Sequence, residues 1–314
     1  MKNISIGKLR GLQHCTSPQG TFTCLALDHR QNLRRANPSF SDGNKLSKFK
    51  MEVISTLAPF GTAVLLDPEV SAAQAIAEGV LPGDRGLVVS LEATGYVGES
   101  EARKVSILPG WSVEKAKRMG ADMIKLLVYY HPKSGTATEI EEAVSAVAED
   151  CLKYDLGLML EPLSYSLKTE KMSSSEKKDV IIETAVRLTK LSGVDILKTE
   201  SPLTTDSDPE QARTAFKELN QSSEVPWVIL SAAVNYETYL QQVKIACEEG
   251  ASGAAVGRAV WQETVLMTKE DRARFLQTVS IERLTALNTL CSATGKPLHQ
   301  YYCSQAPLDW YVNY

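Results

Sequence analysis

The 314-residue sequence has no apolar run near the ~18–20 residues that a membrane-spanning helix needs, because charged residues interrupt every hydrophobic segment. It also lacks a strong charge of either sign: 34 Lys and Arg stand against 38 Asp and Glu, which leaves a formal net charge of -4. We therefore expect no membrane and no nucleic-acid partner. Residues 1–15 are basic but contain no continuous apolar core, so we expect no secretory signal and a cytoplasmic location.

Cysteine and histidine are scarce and scattered. The six cysteines contain no C-x-x-C spacing, which favours reduced, structural thiols over disulfides or a redox site. The four histidines show no H-E-x-x-H or other paired spacing, which argues against a zinc site. Two of them, His29 and His131, fall near predicted strand ends, where they are more often surface residues than ligands. We therefore expect neither a metal nor another cofactor.

Eight apolar runs recur along the chain at a mean interval of roughly 33 residues, the size of one βαβ unit. They span residues 21–28, 62–68, 86–92, 123–130, 156–163, 194–201, 225–234 and 251–261. Most are continuously apolar, which is typical of parallel strands buried on both faces. Segments with helical periodicity lie between them, at 44–58, 112–119, 139–153, 176–191, 208–220 and 236–249.

This alternation predicts the α/β class and a (β/α)8 TIM barrel. Eight units favour closure of the sheet over a doubly wound open sheet. No linker-like stretch divides the chain, so we expect a single domain over 1–314, with the barrel at about 21–265. A C-terminal helix (270–295) and a tail complete residues 266–314.

The chemistry of a TIM barrel lies at the C-terminal ends of its strands. Most of the predicted strands end in a residue with a reactive side chain. In strand order these residues are Asp28, Asp67, Glu92, Lys125, Glu161, Lys198 with Glu200, Ser231, and Gly257 with Arg258. Because side chains alternate along a strand, Lys198 and Glu200 share one face.

Lys125 and Lys198 lie within apolar strands, where a lysine is rarely buried without a partner. A single such lysine is more often one half of a structural salt bridge, for example with Glu161 or Glu200. Two ammonium groups in one pocket raise the cost of protonating each other, which favours a free amine near neutral pH. A free lysine amine can attack a ketone and form an iminium. The pattern therefore predicts a Schiff-base aldolase with carboxylates to move protons.

The loops after strands 7 and 8 are where TIM barrels commonly bind phosphate. Ser231 offers a hydroxyl there, Gly257 lets the backbone approach an anion, and Arg258 supplies a fork of donors. The sequence therefore predicts a phosphate site between these two loops.

Eight blocks in order carry a resemblance to a known family. They are LALDHR, LLDPE, EATGY, IKLLVYY, LEPLSY, DILKTESP, WVILSAAV and VGRAVW. Over nearly the whole chain, they resemble the class I tagatose-1,6-bisphosphate aldolases and the related sulfofructosephosphate aldolases. Each enzyme releases dihydroxyacetone phosphate and a three-carbon aldehyde, glyceraldehyde 3-phosphate in the first case and sulfolactaldehyde in the second.

The resemblance implies roles for individual residues. Lys198 would be the Schiff-base lysine, Glu161 the acid/base at the C4 hydroxyl, and Lys125 the neighbouring cation. The dihydroxyacetone-phosphate end would be held by Ser231, Gly257 and Arg258. Four further residues are candidates for substrate binding. Asp28 and Glu92 would bind substrate hydroxyls or orient Lys125, Arg30 is a candidate for the distal anion, and Glu200 is either a substrate ligand or structural.

The sequence departs from the family pattern in three places. Asp28-His29-Arg30 replaces Asp-Gln-Arg after strand 1, and Ala93 replaces a lysine after strand 3. Both changes are expected to affect the end of the site that reads the aldehyde half. After strand 7, Ser231-Ala232-Ala233 replaces Ser-Ala-Gly, which predicts a tightened or shifted phosphate loop, because alanine resists positive φ.

Other interpretations remain open. A metal-dependent carbon–carbon lyase would use Asp28, Asp67, Glu69 or Glu92 around Mg²⁺, but it leaves both strand lysines without a task. A non-catalytic barrel that binds sugar phosphate is also compatible with the fold.

Two segments outside the strands have their own expectations. Residues 164–178 form a solvated loop or a mobile lid. Aromatic residues of the tail pack on the barrel or in a homo-oligomer contact; they are Tyr301, Tyr302, Trp310, Tyr311 and Tyr314.

Overall fold

A computed structural model describes residues 1–168, 172–203 and 208–314. Eight parallel strands form a closed barrel, as predicted. The barrel strands are β1 (Phe22–Ala26), β2 (Ala63–Leu66), β3 (Gly86–Ser90), β4 (Met123–Tyr129), β5 (Gly157–Leu163), β6 (Ile196–Thr199), β7 (Trp227–Leu230) and β8 (Gly253–Val256). Each strand pairs with the next, and β8 pairs with β1 through Val256 and Leu25, which closes the ring.

The last predicted strand, 251–261, is wrong at its C-terminal end. β8 ends at Val256, and Arg258–Trp261 forms a short helical turn. Gly257 between them has φ -117° and ψ -107°, a conformation outside both strand and helix. Trp261, the last residue of this turn, is fully buried, so the apolar run that predicted a strand here reflects core packing.

Most helices follow a strand and lie on the outside of the barrel. The α-helices are α1 (Ile6–His14), α2 (Gln31–Ala36), α3 (Gly43–Leu57), α4 (Ala72–Ala77), α5 (Val113–Met119), α6 (Ala137–Lys153), α7 (Ser174–Leu188), α8 (Pro209–Ser222), α9 (Tyr236–Glu248), α10 (Arg258–Trp261), α11 (Lys269–Phe275) and α12 (Ile281–Thr294). The six predicted inter-strand helices are present, with ends shifted by at most three residues. The predicted helix 270–295 is two α-helices joined by a π-helical turn at Leu276–Ser280.

The N-terminal end of the barrel is closed by α1, an element that the sequence analysis did not predict. Leu12 of α1 packs so tightly on β5 that a Cβ added at Gly157 would lie 2.7 Å from Leu12 Cδ2. Lys8 of the same helix donates to Asp195 Oδ2 at 2.9 Å, and both side chains are buried. The chain termini meet beneath it, where Lys2–Asn3 pairs in parallel with Tyr302–Cys303.

A β-hairpin after β3 was also not predicted. Its strands, Val97–Glu99 and Ala102–Lys104, pair antiparallel and rise above the C-terminal end of the barrel. Arg103 of the hairpin lies over three tyrosine rings, with its guanidinium carbon 4.5 Å from the centroid of Tyr96, 5.1 Å from Tyr129 and 4.4 Å from Tyr165. These contacts fix the hairpin to β4 and to the loop after β5.

The cysteines, the length of the helices and the C-terminal tail bear on three further expectations. All six cysteines are free, and five of them are buried. In the described part of the chain, no helix combines the length and apolar character needed to cross a membrane. In the tail, Tyr302 is buried and Tyr314 accepts from the Gly7 amide at 2.9 Å, whereas Tyr311 is exposed.

Candidate active site

A cavity of about 720 Å³ opens at the C-terminal ends of the barrel strands. All ten predicted site residues line it. They are Asp28, Arg30, Glu92, Lys125, Glu161, Lys198, Glu200, Ser231, Gly257 and Arg258. The alternation of side chains along β4 to β6 explains the convergence: residues two apart, such as Lys125 and Leu127, face the cavity together.

Glu161 lies between the two strand lysines. Its Oε2 is 2.9 Å from Lys198 Nζ and 3.0 Å from Lys125 Nζ. The three side chains come from the neighbouring strands β4, β5 and β6, and each is less than a tenth exposed. A carboxylate in contact with two amines can exchange protons with either of them.

Lys125 contacts two further carboxylates, Asp28 Oδ2 at 2.8 Å and Glu92 Oε1 at 2.7 Å. Burial lowers the pKa of Lys125, but the charges of Asp28, Glu161 and Glu92 outweigh it and hold the pKa well above its usual value. Lys125 is therefore a fixed cation. The repulsion between the two lysines, which was expected to favour a free amine, is outweighed at Lys125 by the three carboxylates. The alternative expectation, a salt bridge to Glu161, is present at both lysines.

The carboxylates respond differently to the same lysines. Burial raises the pKa of Glu161, but Lys125 and Lys198 together hold it below its usual range, and the same balance applies to the pKa of Asp28. At Glu92, burial is not fully offset by Lys125, and its pKa is raised. Glu92 also accepts from the Leu127 amide at 3.0 Å, which orients it toward Lys125.

The loops after β7 and β8 meet at one corner of the cavity. Ala232 and Ala233 adopt φ values of 43° and 63°, in the left-handed region that glycine tolerates best. Ala233 thus takes a glycine-like conformation at the position where the family pattern has glycine, and the expected tightening or shift of this loop stays a prediction. Burial lowers the pKa of Arg258 at the same corner, although Asp28 and Glu161 counteract it. The guanidinium is thus partly desolvated and strengthens any contact with an anion.

Arg30 and Glu200 line the cavity but are held by other groups. Arg30 pairs with Glu69 and donates to the Glu92 carbonyl at 2.8 Å. Glu200 accepts from the Ser164 amide at 2.9 Å and from the Ser164 hydroxyl at 2.6 Å. The side chains of Arg30 and Glu200 are therefore held in place by neighbouring residues and also face the cavity.

The carboxylates considered for Mg²⁺ are each paired with a cation. Asp67 contacts Lys50, Glu69 contacts Arg30, and Asp28 and Glu92 share Lys125. Within residues 1–168, 172–203 and 208–314, no group of three His, Cys, Asp or Glu side chains is arranged to hold a metal ion.

The sequence analysis missed several residues of the cavity wall. His29 was placed among surface histidines, but the structure puts it in the cavity wall, 5.3 Å from Trp261 between ring centroids. The assignment of the Asp28-His29-Arg30 departure to the aldehyde half stays a prediction. Tyr96 and Tyr129 also line the cavity. Their only sequence signal was their position just after β3 and at the end of β4.

The segment 164–178, expected to be a solvated loop or a mobile lid, is helical at its C-terminal end. Residues 174–178 belong to α7, whose first turn is capped by the Ser173 hydroxyl. Residues 169–171 lie outside the described part of the chain.

Comparison with known proteins gives the family. The model of the DeoC/LacD family aldolases matches residues 22–263. Tagatose 1,6-diphosphate aldolase 1 of Enterococcus faecalis is 31% identical over 85% of this chain and 87% of its own length. Tagatose 1,6-diphosphate aldolase 1 of Streptococcus pyogenes serotype M1 is 29% identical over 90% and 94%.

Solved structures share the barrel at lower identity. A Schiff-base-forming fructose-1,6-bisphosphate aldolase matches with a TM-score of 0.58 and 23% identity, over 87% of this chain and 98% of that one. Fructose-bisphosphate aldolase of Plasmodium falciparum matches with a TM-score of 0.73 and 15% identity, over 94% and 98%. These two likenesses concern the fold. The family match over most of the sequence, together with the 31% identical relative, shows that this chain belongs to the DeoC/LacD family of aldolases, which confirms the resemblance and the predicted class of carbon–carbon lyase.

Proposed function

We propose that this chain is a class I aldolase that reversibly cleaves tagatose 1,6-bisphosphate to dihydroxyacetone phosphate and glyceraldehyde 3-phosphate. The observation that carries the proposal is the contact of Lys198 Nζ with Glu161 Oε2 at 2.9 Å, beside Lys125, whose pKa three carboxylates hold well above its usual value. The names of the relatives at 29–31% identity support the choice of sugar.

Lys198 begins the reaction by attacking the C2 ketone. The attack requires a neutral amine, and Glu161 lies close enough to accept the proton that Lys198 loses. Glu161 then gives this proton to the carbinolamine hydroxyl, which leaves as water, so that the iminium forms and Glu161 is again a carboxylate. Lys125, whose pKa lies well above its usual value, stays protonated and favours the ionised forms of Glu161 and Asp28.

Glu161 then takes the C4 hydroxyl proton as the C3–C4 bond breaks, and the bonding electrons flow into the iminium to form an enamine. As the bonding electrons neutralise the positive charge of the iminium, Glu161 loses one cationic neighbour, so its proton affinity rises while it takes the proton. Protonation of the enamine at C3 and hydrolysis of the iminium release dihydroxyacetone phosphate and restore the lysine.

Substrate placement follows from the two ends of the cavity. Ser231, Gly257 and Arg258 would hold the phosphate of the dihydroxyacetone half. Asp28 and Glu92 would bind hydroxyls near Lys125, which they already contact.

Borohydride trapping with dihydroxyacetone phosphate tests the proposal, followed by peptide mass mapping with and without EDTA. We expect a reduced adduct on Lys198, none on Lys125, and no effect of the chelator. Cleavage of tagatose, fructose and psicose bisphosphates and of sulfofructose phosphate then ranks the substrates. No trapped lysine combined with chelator-sensitive cleavage would favour the metal-dependent lyase. Sugar-phosphate binding with neither trapping nor turnover would favour a non-catalytic barrel.

A further inference from the structure

His29 is a polar residue of the cavity wall to which the mechanism above gives no task. It follows β1, and its ring leans toward the loop after β8: a Cβ added at Gly257 would lie 3.0 Å from His29 Cε1. The ring also meets Trp261 edge-on, with 77° between the ring planes. Trp261 is itself fixed, because its indole donates to the Ala26 carbonyl at 3.2 Å. These contacts place the imidazole beside Gly257, at the corner that would hold the phosphate.

The ring has hydrogen-bonding capacity that the described residues do not use. Nδ1 is buried and has no hydrogen-bond partner in the described part of the chain. The Asp28 carboxylate lies 3.8 Å from Nδ1, beyond hydrogen-bond distance. Because Nδ1 has almost no accessible surface, the ring nitrogen left to meet a ligand in the cavity is Nε2, for which the described residues supply no hydrogen-bond partner.

The protonation state of the ring fits a neutral donor. Burial lowers the pKa of His29 to about 4, with help from Arg258 and Lys198 and against the opposing charge of Asp28. At pH 7 the imidazole is therefore neutral and carries one N–H. A neutral donor adds directionality to an anion site without the cost of burying a second cation beside Arg258.

We propose that His29 is a phosphate ligand of this aldolase, donating a hydrogen bond from its neutral imidazole to the phosphate of dihydroxyacetone phosphate. The inference rests on the proposed function and deepens it, since it assigns a further binding residue to the same site. It also relocates the effect of the Asp28-His29-Arg30 departure from the aldehyde half of the substrate to the phosphate half.

The test compares dihydroxyacetone phosphate with dihydroxyacetone, which lacks the phosphate, as ligands for borohydride trapping of Lys198. The readout is the ratio of their half-saturating concentrations. We expect His29→Phe, which keeps an aromatic ring against Trp261, to reduce the preference for the phosphorylated ligand by about tenfold or more. His29→Gln and His29→Asn place an amide near Nε2 and Nδ1 respectively, so the variant that retains more of the preference identifies the donating nitrogen.

The outcomes separate the two proposals. No trapping with either ligand in the wild-type protein would refute the Schiff-base function itself. Trapping with an unchanged ratio in His29→Phe and His29→Gln would refute only the role of His29. An equal weakening of trapping with dihydroxyacetone phosphate and with dihydroxyacetone would also refute the role of His29 as a phosphate ligand. The residue would then act on the carbonyl chemistry that the two ligands share. If the His29 variants changed the preference among aldehyde substrates but left the ratio of half-saturating concentrations constant, His29 would instead contact the aldehyde half of the substrate.

A pH series provides a second readout, with sulfate as the competing anion because it does not titrate between pH 5 and 8. A bound dianion raises the pKa of a nearby imidazole, so sulfate inhibition of the wild-type protein should strengthen as the pH falls toward 5. The charged groups that act on the ring are Asp28, Arg258, Lys198 and Lys50. All four remain in His29→Gln, so the difference between the two pH series isolates the imidazole. A steeper series for the wild-type protein would support the proposal, and identical series together with an unchanged ratio in the trapping assay would contradict it.

Discussion

Both ends of the barrel bury lysine side chains, and the carboxylates around these lysines differ between the two ends. At the N-terminal end, Lys8 has one carboxylate partner, Asp195, which also accepts from the Leu158 amide. At the C-terminal end, Lys125 contacts three carboxylates, and Lys198 shares one of them. A one-to-one pair satisfies its own charges and needs no ligand. The crowded cluster lies in the wall of a 720 Å³ cavity, where its groups can exchange protons with a substrate.

This comparison separates stability from chemistry. Asp195 is sealed, and burial raises its pKa although Lys8 opposes the effect. Asp28 and Glu161 are equally enclosed by protein but have lowered pKa values, because two lysines act on each of them. A surplus of opposing charges around a group is therefore a better indication of function than burial alone.

The largest effect is expected for Lys198→Met, which removes the amine and keeps the apolar stem. Cleavage of the ketose bisphosphate should fall below detection, because no iminium can form. Circular dichroism and the thermal midpoint should stay close to those of the wild-type protein. Substantial residual cleavage would show that another group carries the reaction, and borohydride trapping of the variant would then identify it.

Lys125→Met should lower kcat by about 100-fold, since it removes the cation that keeps Glu161 and Asp28 ionised. Lys125 lowers the pKa of Glu161, so its removal raises that pKa. The base form of Glu161 then disappears at a higher pH, and the acidic limb of the kcat profile should move to higher pH. An acidic limb at the wild-type position would contradict this role of Lys125.

Lys8→Met should affect stability instead of chemistry. Removing one partner of a buried ion pair leaves Asp195 charged and unpaired, which costs about 3–5 kcal/mol of unfolding free energy. Urea unfolding measures the loss, while kcat of the folded protein should stay within about twofold. Exposed Lys217→Met is the matched control and should change stability by less than about 0.5 kcal/mol. A double variant, Lys8→Met with Asp195→Leu, should recover much of the loss, which a role in catalysis would not explain.

The comparison also shows which features the sequence could predict. Continuous apolar runs predicted the barrel because parallel strands are buried on both faces. The rule that barrel chemistry lies at the C-terminal ends of the strands predicted that Lys125, Glu161 and Lys198 would converge. Helix α1, which closes the N-terminal end of the barrel, was not predicted, because only Lys8 and Leu12 of its nine residues are buried and its sequence shows little apolar periodicity. The position of His29 depends on the direction in which one side chain leans after β1, and no local pattern encodes that direction.

The smallest effect is expected at the loop after β7, where Ala233 occupies a position at which the family pattern has glycine. Ala233 has a φ of 63°, which costs an alanine about 1 kcal/mol relative to glycine. Ala233→Gly should therefore raise the unfolding free energy by about 1 kcal/mol and the thermal midpoint by roughly 2 °C. The matched control is Ala146→Gly on the exposed face of α6, which should lower stability by about 0.5–1 kcal/mol, because helical glycine is unfavourable. Opposite signs for the same substitution would show that the phosphate loop stores backbone strain. A loss of stability in both variants would mean that Ala233 is relaxed in solution and that the loop differs from the one described.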